Sequence, residues 1–253
     1  MGAFLGKMRT QLCRRVPALF FLLTIALTGR AYAAGGGYSV DDAEIGKPGD
    51  CEVDSWASTA SNHDFSATVN PFCVVNLGMP IEFDAIFQRM RASGVWTSTG
   101  TALVKTNLIP VENHPFGVGL VGAATWNLVT GATTGGYVYV PLTFQLKENF
   151  RINVNGGWQY DNVAKIHYAT WGAGFEWIFM KPFTLIGEVY GQAGKLAAAD
   201  PDDAPSPKSV IQPRVQAGIR FTPAEKIDID VIWGHNINGE NAHWLTLGVN
   251  LRF

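Results

Sequence analysis

Leu245-Thr246-Leu247-Gly248-Val249-Asn250-Leu251-Arg252-Phe253 is the stretch whose reading decides the fold. Leu245, Leu247, Val249, Leu251 and Phe253 alternate with Thr246, Gly248, Asn250 and Arg252. In an extended chain, successive side chains point to opposite sides, so this period of two makes a strand with one apolar and one polar face.

The stretch resembles the closing strand of Gram-negative outer-membrane β-barrels, whose final Phe and alternating apolar positions are read by the barrel-assembly machinery. That resemblance implies an assembly signal at Leu245, Leu247, Val249, Leu251 and Phe253. It also implies the assembly machinery, periplasmic chaperones and outer-membrane lipids as partners. The other end of the chain agrees. Lys7, Arg9, Arg14 and Arg15 precede an apolar run from Val16 to Leu27, and Ala31-Tyr32-Ala33 fits a small-x-small cleavage site, so residues 1–33 read as a cleavable signal peptide. The run falls short of the roughly 20 residues of a spanning helix, and no later segment is long and apolar enough.

Cleavage after Ala33 removes Lys7, Arg9, Arg14, Arg15 and Arg30 and no acid, leaving 14 basic residues against 21 acidic ones. That balance argues against nucleic acid as a partner. Residues 34–50 (AGGGYSVDDAEIGKPGD) are glycine-rich and acidic without a sustained period, and read as a flexible periplasmic arm. Residues 51–253 then form the barrel.

Read backward from the C-terminus, the same alternation recurs. Ile227, Ile229, Val231 and Trp233 oppose Asp228, Asp230, Ile232 and Gly234; Val215, Ala217, Ile219 and Phe221 oppose Arg214, Gln216, Gly218 and Arg220. Phe183, Leu185, Gly187 and Val189 oppose Thr184, Glu188 and Tyr190; Trp171, Phe175, Trp177 and Phe179 oppose Gly172, Gly174 and Glu176; Ile152, Val154 and Trp158 oppose Arg151, Asn153 and Asn155. Every charge in these strands falls on the polar face.

Short connections fall at Gly78 to Pro80, Glu112 to Pro115, Lys147 to Asn149, Lys181 to Pro182 and Thr222 to Glu225. Longer ones centre on Asn62, Ser93 to Gly100, Thr130 to Gly136, Asp161 to Lys165, Leu196 to Lys208 and Asn236 to Asn241. With two further strands at about Cys51 to Ser58 and Phe65 to Asn76, the count is about twelve. The fold class expected is all-β, a transmembrane antiparallel up-and-down barrel of about 12 strands with short periplasmic turns and longer extracellular loops. Phe116, Phe144, Phe150, Phe179, Phe183, Phe221 and Phe253 flank the short turns, and Trp126, Trp158, Tyr160 and Trp233 the long ones, as two aromatic girdles would. A soluble sandwich would bury the same apolar face, but would leave unexplained an opposite face of Gly, Asn, Thr, Gln and charge.

Cys51 and Cys73 are the two cysteines left after cleavage, in an oxidising compartment. A first hairpin turning at Ser61-Asn62-His63 pairs residues whose numbers sum to 124, which sets Cys51 opposite Cys73 and predicts a disulfide. The lumen is expected to be lined by Arg151, Glu176, Glu188, Arg214, Arg220, Asp228, Asp230 and Arg252, with Arg220 facing Asp228 across the turn near Pro223.

No catalytic, cofactor-binding or metal site is expected. His63, His114, His167, His235 and His243 lack metal-ligand spacing. Asp200, Asp202 and Asp203 lack the carboxylate ladder of a calcium loop. Outer-membrane lipid hydrolases carry a serine two residues after a strand histidine, whereas Asn236 and Ile237 follow His235. Twelve strands leave a narrow lumen, so the function expected is a narrow channel or passive transporter for small solutes in the outer membrane. The alternatives are a structural or adhesion barrel with an occluded lumen, or a lipid hydrolase. From Asp228 through Gly234-His235-Asn236 to Trp244–Phe253, the last hairpin is similar to outer-membrane transporters of aromatic-degradation (meta-pathway) clusters, which implies uptake of small, aromatic solutes.

Overall fold

The computed structural model describes residues 37–195, 209–211, 213–237 and 242–253. The signal peptide and the loop from Leu196 to Lys208 lie outside the described residues. Thirteen strands follow in order: β1 (Cys51–Ala60), β2 (Phe65–Asn76), β3 (Pro80–Ala92), β4 (Val95–Ile109), β5 (Phe116–Asn127), β6 (Thr133–Lys147), β7 (Phe150–Asp161), β8 (Ile166–Met180), β9 (Phe183–Lys195), β10 (Ser209–Ile211), β11 (Arg214–Ala224), β12 (Ile227–Asn236) and β13 (His243–Arg252). Both β10 and β11 pair with β9, so they are two pieces of one strand, interrupted next to Pro213, which has no N–H for the ladder. With β10 and β11 counted as one, each strand pairs antiparallel with its sequence neighbours, and β1 pairs with β13 from Glu52↔Arg252 to Ala60↔Trp244, closing a twelve-stranded barrel.

The two faces separate as the sequence alternation requires. Leu247 is 57 % exposed while its neighbour Thr246 is fully buried, and Val231 is 48 % exposed beside Asp230 at 4 %. A soluble barrel would show the reverse. Val69, Phe87, Val104, Leu120, Val138, Trp158, Trp171, Ile219, Val231 and Leu247 continue the outward apolar band around the molecule. Among the described residues no helix is long and apolar enough to cross a membrane. The strands carry the crossing, pairing their backbone with neighbours on both sides in a closed ladder.

The first hairpin has the expected register. Ser55 faces Val69, Ala57 faces Ala67, and Cys51 faces Cys73, whose sulfurs are bonded. Three connections differ from expectation: the expected short turn at Glu112 to Pro115 is a six-residue connection, Pro110 to Pro115, holding a 3-10 turn at Val111–Asn113. Ser93 to Gly100 is not a long loop: β3 and β4 continue to a two-residue turn at Ser93-Gly94, both at positive φ (50° and 81°), as a tight hairpin matching strand twist demands. Likewise β6 resumes at Thr133, so the connection after Asn127 is shorter than Thr130 to Gly136 implied. Both stretches are Thr-, Ser- and Gly-rich ends of long strands. The expected alternation fades there because a strand end that leaves the apolar band is not obliged to keep an apolar face.

Candidate functional site: the lumen and its N-terminal strap

The inward faces of β7 to β13 bring the expected charges together in two groups. On one side Arg151 makes a two-pronged contact with Glu176, Nε to Oε1 and Nη2 to Oε2 both at 2.9 Å. On the other, Arg220 Nε donates to Asp230 Oδ1 at 2.9 Å, and Arg252 bonds Asp228 and lies 3.4 Å from Glu52. Glu188 is buried between them. Arg214 stands apart, next to Tyr190 and Asn236 in register near the long-loop end.

The expected Arg220 to Asp228 pairing is corrected. Arg220 faces Asp230, because the chain reverses at Glu225-Lys226, later than the expected turn, and the one-residue bulge between Phe221 and Ala224 offsets only part of the difference. A shift of two residues keeps the face but changes the partner. Arg220 reaches Asp228 only at 3.9 Å, and Asp228 accepts instead from Arg252 and, at 2.6 Å, from the Thr222 hydroxyl.

The larger correction concerns residues 37–50. The expected flexible arm is a strap held against the inside of the barrel, crossing the wall in the order β11, β9, β8, β7, β6 and β5 before it reaches β1. Gly37 O accepts from Gln216 Nε2 at 3.1 Å, and the Ser39 and Val40 amides donate to the two oxygens of Glu188 at 2.9 and 3.2 Å. Asp41 accepts from Lys105 Nζ and the Tyr139 hydroxyl, both at 2.9 Å. With its amide oriented to satisfy both atoms, Asn155 bonds the Asp41 main chain in both directions. Ala43 is fully buried, and its amide donates to Thr143 Oγ1 at 2.9 Å. Asp42 and Glu44 both reach Arg151, at 3.0 and 2.6 Å. The reason is electrostatic and steric at once: acids in the strap neutralise Lys105 and Arg151, which a narrow lumen would otherwise hold at a cost.

Glycines facing inward supply the room. A Cβ on Gly172 would sit 2.8 Å from Val40, and one on Gly117 3.2 Å from the Ala43 methyl. A side chain at either position would push the strap off the wall.

Burial pushes the Asp42 carboxyl up, but Lys105, Arg151 and the Glu44 backbone outweigh it, so Asp42 is held below the ordinary aspartate range. Glu44 is displaced the other way by burial and by the charge of Asp42, with Arg151 opposing.

Between the strap and the walls of β1–β4 and β11–β13 lies a cavity of about 820 Å³ that extends to Lys226 and Phe253 at the short-turn end. Its lining adds charged residues that the sequence reading did not single out: Glu52, Asp54, Glu82, Asp84 and Lys105. Glu82 and Asp84 alternate with outward Phe83, the same signal that marked the later strands. Toward the long-loop end the wall changes to neutral groups such as Ser58, Thr68, Gln88 and Thr101.

The aromatic girdles are present at both ends. Phe183 stacks on Phe179 and Phe221, and at the other end Trp158 stacks with Tyr160 and His167. His235 and His243 stack at 4.5 Å beside Trp233 and so belong to this girdle.

Residues 22–253 match the model of a family described as Uncharacterised conserved protein UCP029691. The chain belongs to this family. No protein of curated function matches the sequence. Among solved structures this chain's fold is similar to the NanC porin (TM-score 0.60, 9 % identity, covering 79 % of this chain and 98 % of that one) and the KdgM porin (0.57, 9 %, 80 % and 99 %). It is also similar to the COG4313 outer membrane channel from Pseudomonas putida F1 (0.59, 13 %, 87 % and 100 %). At these identities the likeness is one of fold, a twelve-stranded barrel.

Proposed function

We propose that this family member is an outer-membrane channel for passive passage of small solutes, exported by its signal peptide and assembled through the Leu245–Phe253 strand. The observation that carries the reading is the lumen: a closed apolar-outside barrel enclosing an 820 Å³ cavity walled by charge. A barrel with only a scaffolding role has no need to keep such a space, since side chains can fill a lumen. The strap narrows the passage and sets what passes. The short turns face the periplasm, which puts the strap's entry on that side. The last hairpin's resemblance to aromatic-degradation transporters adds small aromatics to the solutes to be assayed.

The lipid-hydrolase alternative is disfavoured by the placement of His235, whose ring is stacked on Trp233 and His243 while its Nδ1 lies 3.2 Å from the Ala242 carbonyl. The channel reading is tested by swelling of proteoliposomes in small sugars, amino acids and aromatic acids. Solute-dependent swelling above protein-free vesicles is expected. Vesicles that stay impermeable to every solute, with the strap present and with it deleted, would refute it.

A further inference from the structure

We propose that the inner wall of β1–β3 is a binding site for a small organic cation bearing N–H donors, an ammonium or a guanidinium. Asp54 faces Asn70 in the β1–β2 register, and Asn70 Nδ2 donates to Asp84 at 2.9 Å. Glu82 stands two residues along on the same face of β3, and all four side chains line the cavity.

What remains unpaired in this row is of one kind. Asp54 Oδ1, Asn70 Oδ1 and Asp84 Oδ1 are buried acceptors without a hydrogen-bond donor. Asn70 is only 8 % exposed and its amide nitrogen is already spent on Asp84, so its oxygen cannot be satisfied by turning the amide over. The two orphaned donors that border the cavity, Trp56 Nε1 and the Tyr38 hydroxyl, reach none of these oxygens.

Glu82 is 7 % exposed, and among the described residues no donor bonds it and no cation lies within 4 Å. Its register partner Lys105 donates elsewhere, with Nζ at 2.9 Å from Asp41 and 3.6 Å from Asp42. Arg252 is likewise taken by Asp228 and Glu52. The strap therefore draws the wall's lysine to itself and leaves three carboxylates and an amide oxygen facing the same space. Buried acceptors without a donor are costly, and a ligand that brings several N–H groups and positive charge satisfies them at once. A cavity of this volume accommodates a small molecule.

The proposal deepens the channel reading by naming a solute class, but its test reads binding and not passage. The full mature chain, folded in detergent at low ionic strength, is titrated by calorimetry with agmatine, which carries a guanidinium and an ammonium, and separately with tetramethylammonium, which has the charge but no N–H. Saturable one-to-one binding of agmatine is expected, with affinity reduced about tenfold or more in Asp84→Asn and independently in Glu82→Gln, and with tetramethylammonium unable to compete. Heat-modifiable gel mobility verifies that each variant is folded, and the comparison of the two ligands on the unaltered protein needs no variant. No saturable agmatine binding, equal binding by tetramethylammonium, or undiminished affinity in both folded variants would overturn the proposal. A barrel that binds agmatine but passes no solute would uphold this site and sink the channel reading.

Discussion

Replacing Asp42 with Asn and Glu44 with Gln should release the strap without disturbing the wall. Both acids end on Arg151, and Asp42 also lies 3.6 Å from Lys105, whereas Arg151 keeps its two-pronged contact with Glu176 when they are neutralised. The Asp42 side chain is 24 % exposed, so its contacts count as hydrogen bonds to charged groups at about 1.5–3 kcal/mol. Glu44 is 34 % exposed and counts nearer the value of a surface pair, up to about 1 kcal/mol. Together they amount to about 3 kcal/mol, on the order of a 100-fold change in the ratio of released to docked strap. The readout is hydrogen exchange at the Ala43 amide, which lies between the two substitutions and keeps its own acceptor, Thr143 Oγ1. Exchange there should accelerate by that factor, while amides in β7 and β8 keep their protection. Unchanged exchange at Ala43 would refute the idea that these ion pairs hold the strap.

Three further outcomes follow from the same contacts. Because Asp42 is held below the ordinary aspartate range, its contribution to docking is complete above about pH 4 and is lost only as pH falls through its lowered value. The difference in Ala43 exchange between the unaltered chain and Asp42→Asn should therefore persist from pH 7 to 5 and fade below 4; fading already at pH 6 would contradict it. Asp230→Asn should destabilise the barrel by about 1–3 kcal/mol more than Arg220→Met with Asp230→Asn together, since the single change leaves a mostly buried guanidinium with only the longer 3.9 Å contact to Asp228; equal unfolding midpoints in urea would argue otherwise. Replacing Cys51 and Cys73 by Ser should cost about 3 kcal/mol, the chain-entropy value for a bridge spanning 22 residues, read as a lower unfolding midpoint, and non-reducing peptide maps of the unaltered protein should show the two joined; two freely alkylated thiols would contradict the bridge.

The features legible in the sequence were those that depend on near neighbours. Period-two alternation found β13, β12 and β7, and Phe65 to Asn76 coincides with β2, because the apolar band outside and the wet lumen inside act on every second residue. The turn at Ser61-Asn62-His63 was enough to set Cys51 opposite Cys73, since no bulge interrupts that ladder. The partner of Arg220 differs because the chain reverses at Glu225-Lys226, later than a turn spread over Thr222 to Glu225 implies, and a one-residue bulge between Phe221 and Ala224 offsets only part of that displacement, which no simple count from a turn detects.

The strap was missed for a different reason. Asp42 meets Arg151 across 109 residues of sequence, and Ser39 meets Glu188 across 149. A glycine-rich acidic segment shows no period of its own, because it borrows its conformation from the wall. The complementary signal, lumen-facing glycines at Gly117, Gly119, Gly172 and Gly174 beside Lys105 and Arg151, becomes visible only when the strands are rolled into a barrel.

Single-channel recording in planar bilayers, on the unaltered protein and on one lacking residues 37–46, tests the central claim most directly. The account predicts small, interrupted currents from the unaltered barrel and larger, steady ones from the shortened chain. Equal currents from the two proteins, or none from either once both are shown to be folded, would contradict the account of a solute path narrowed by its own N-terminal strap.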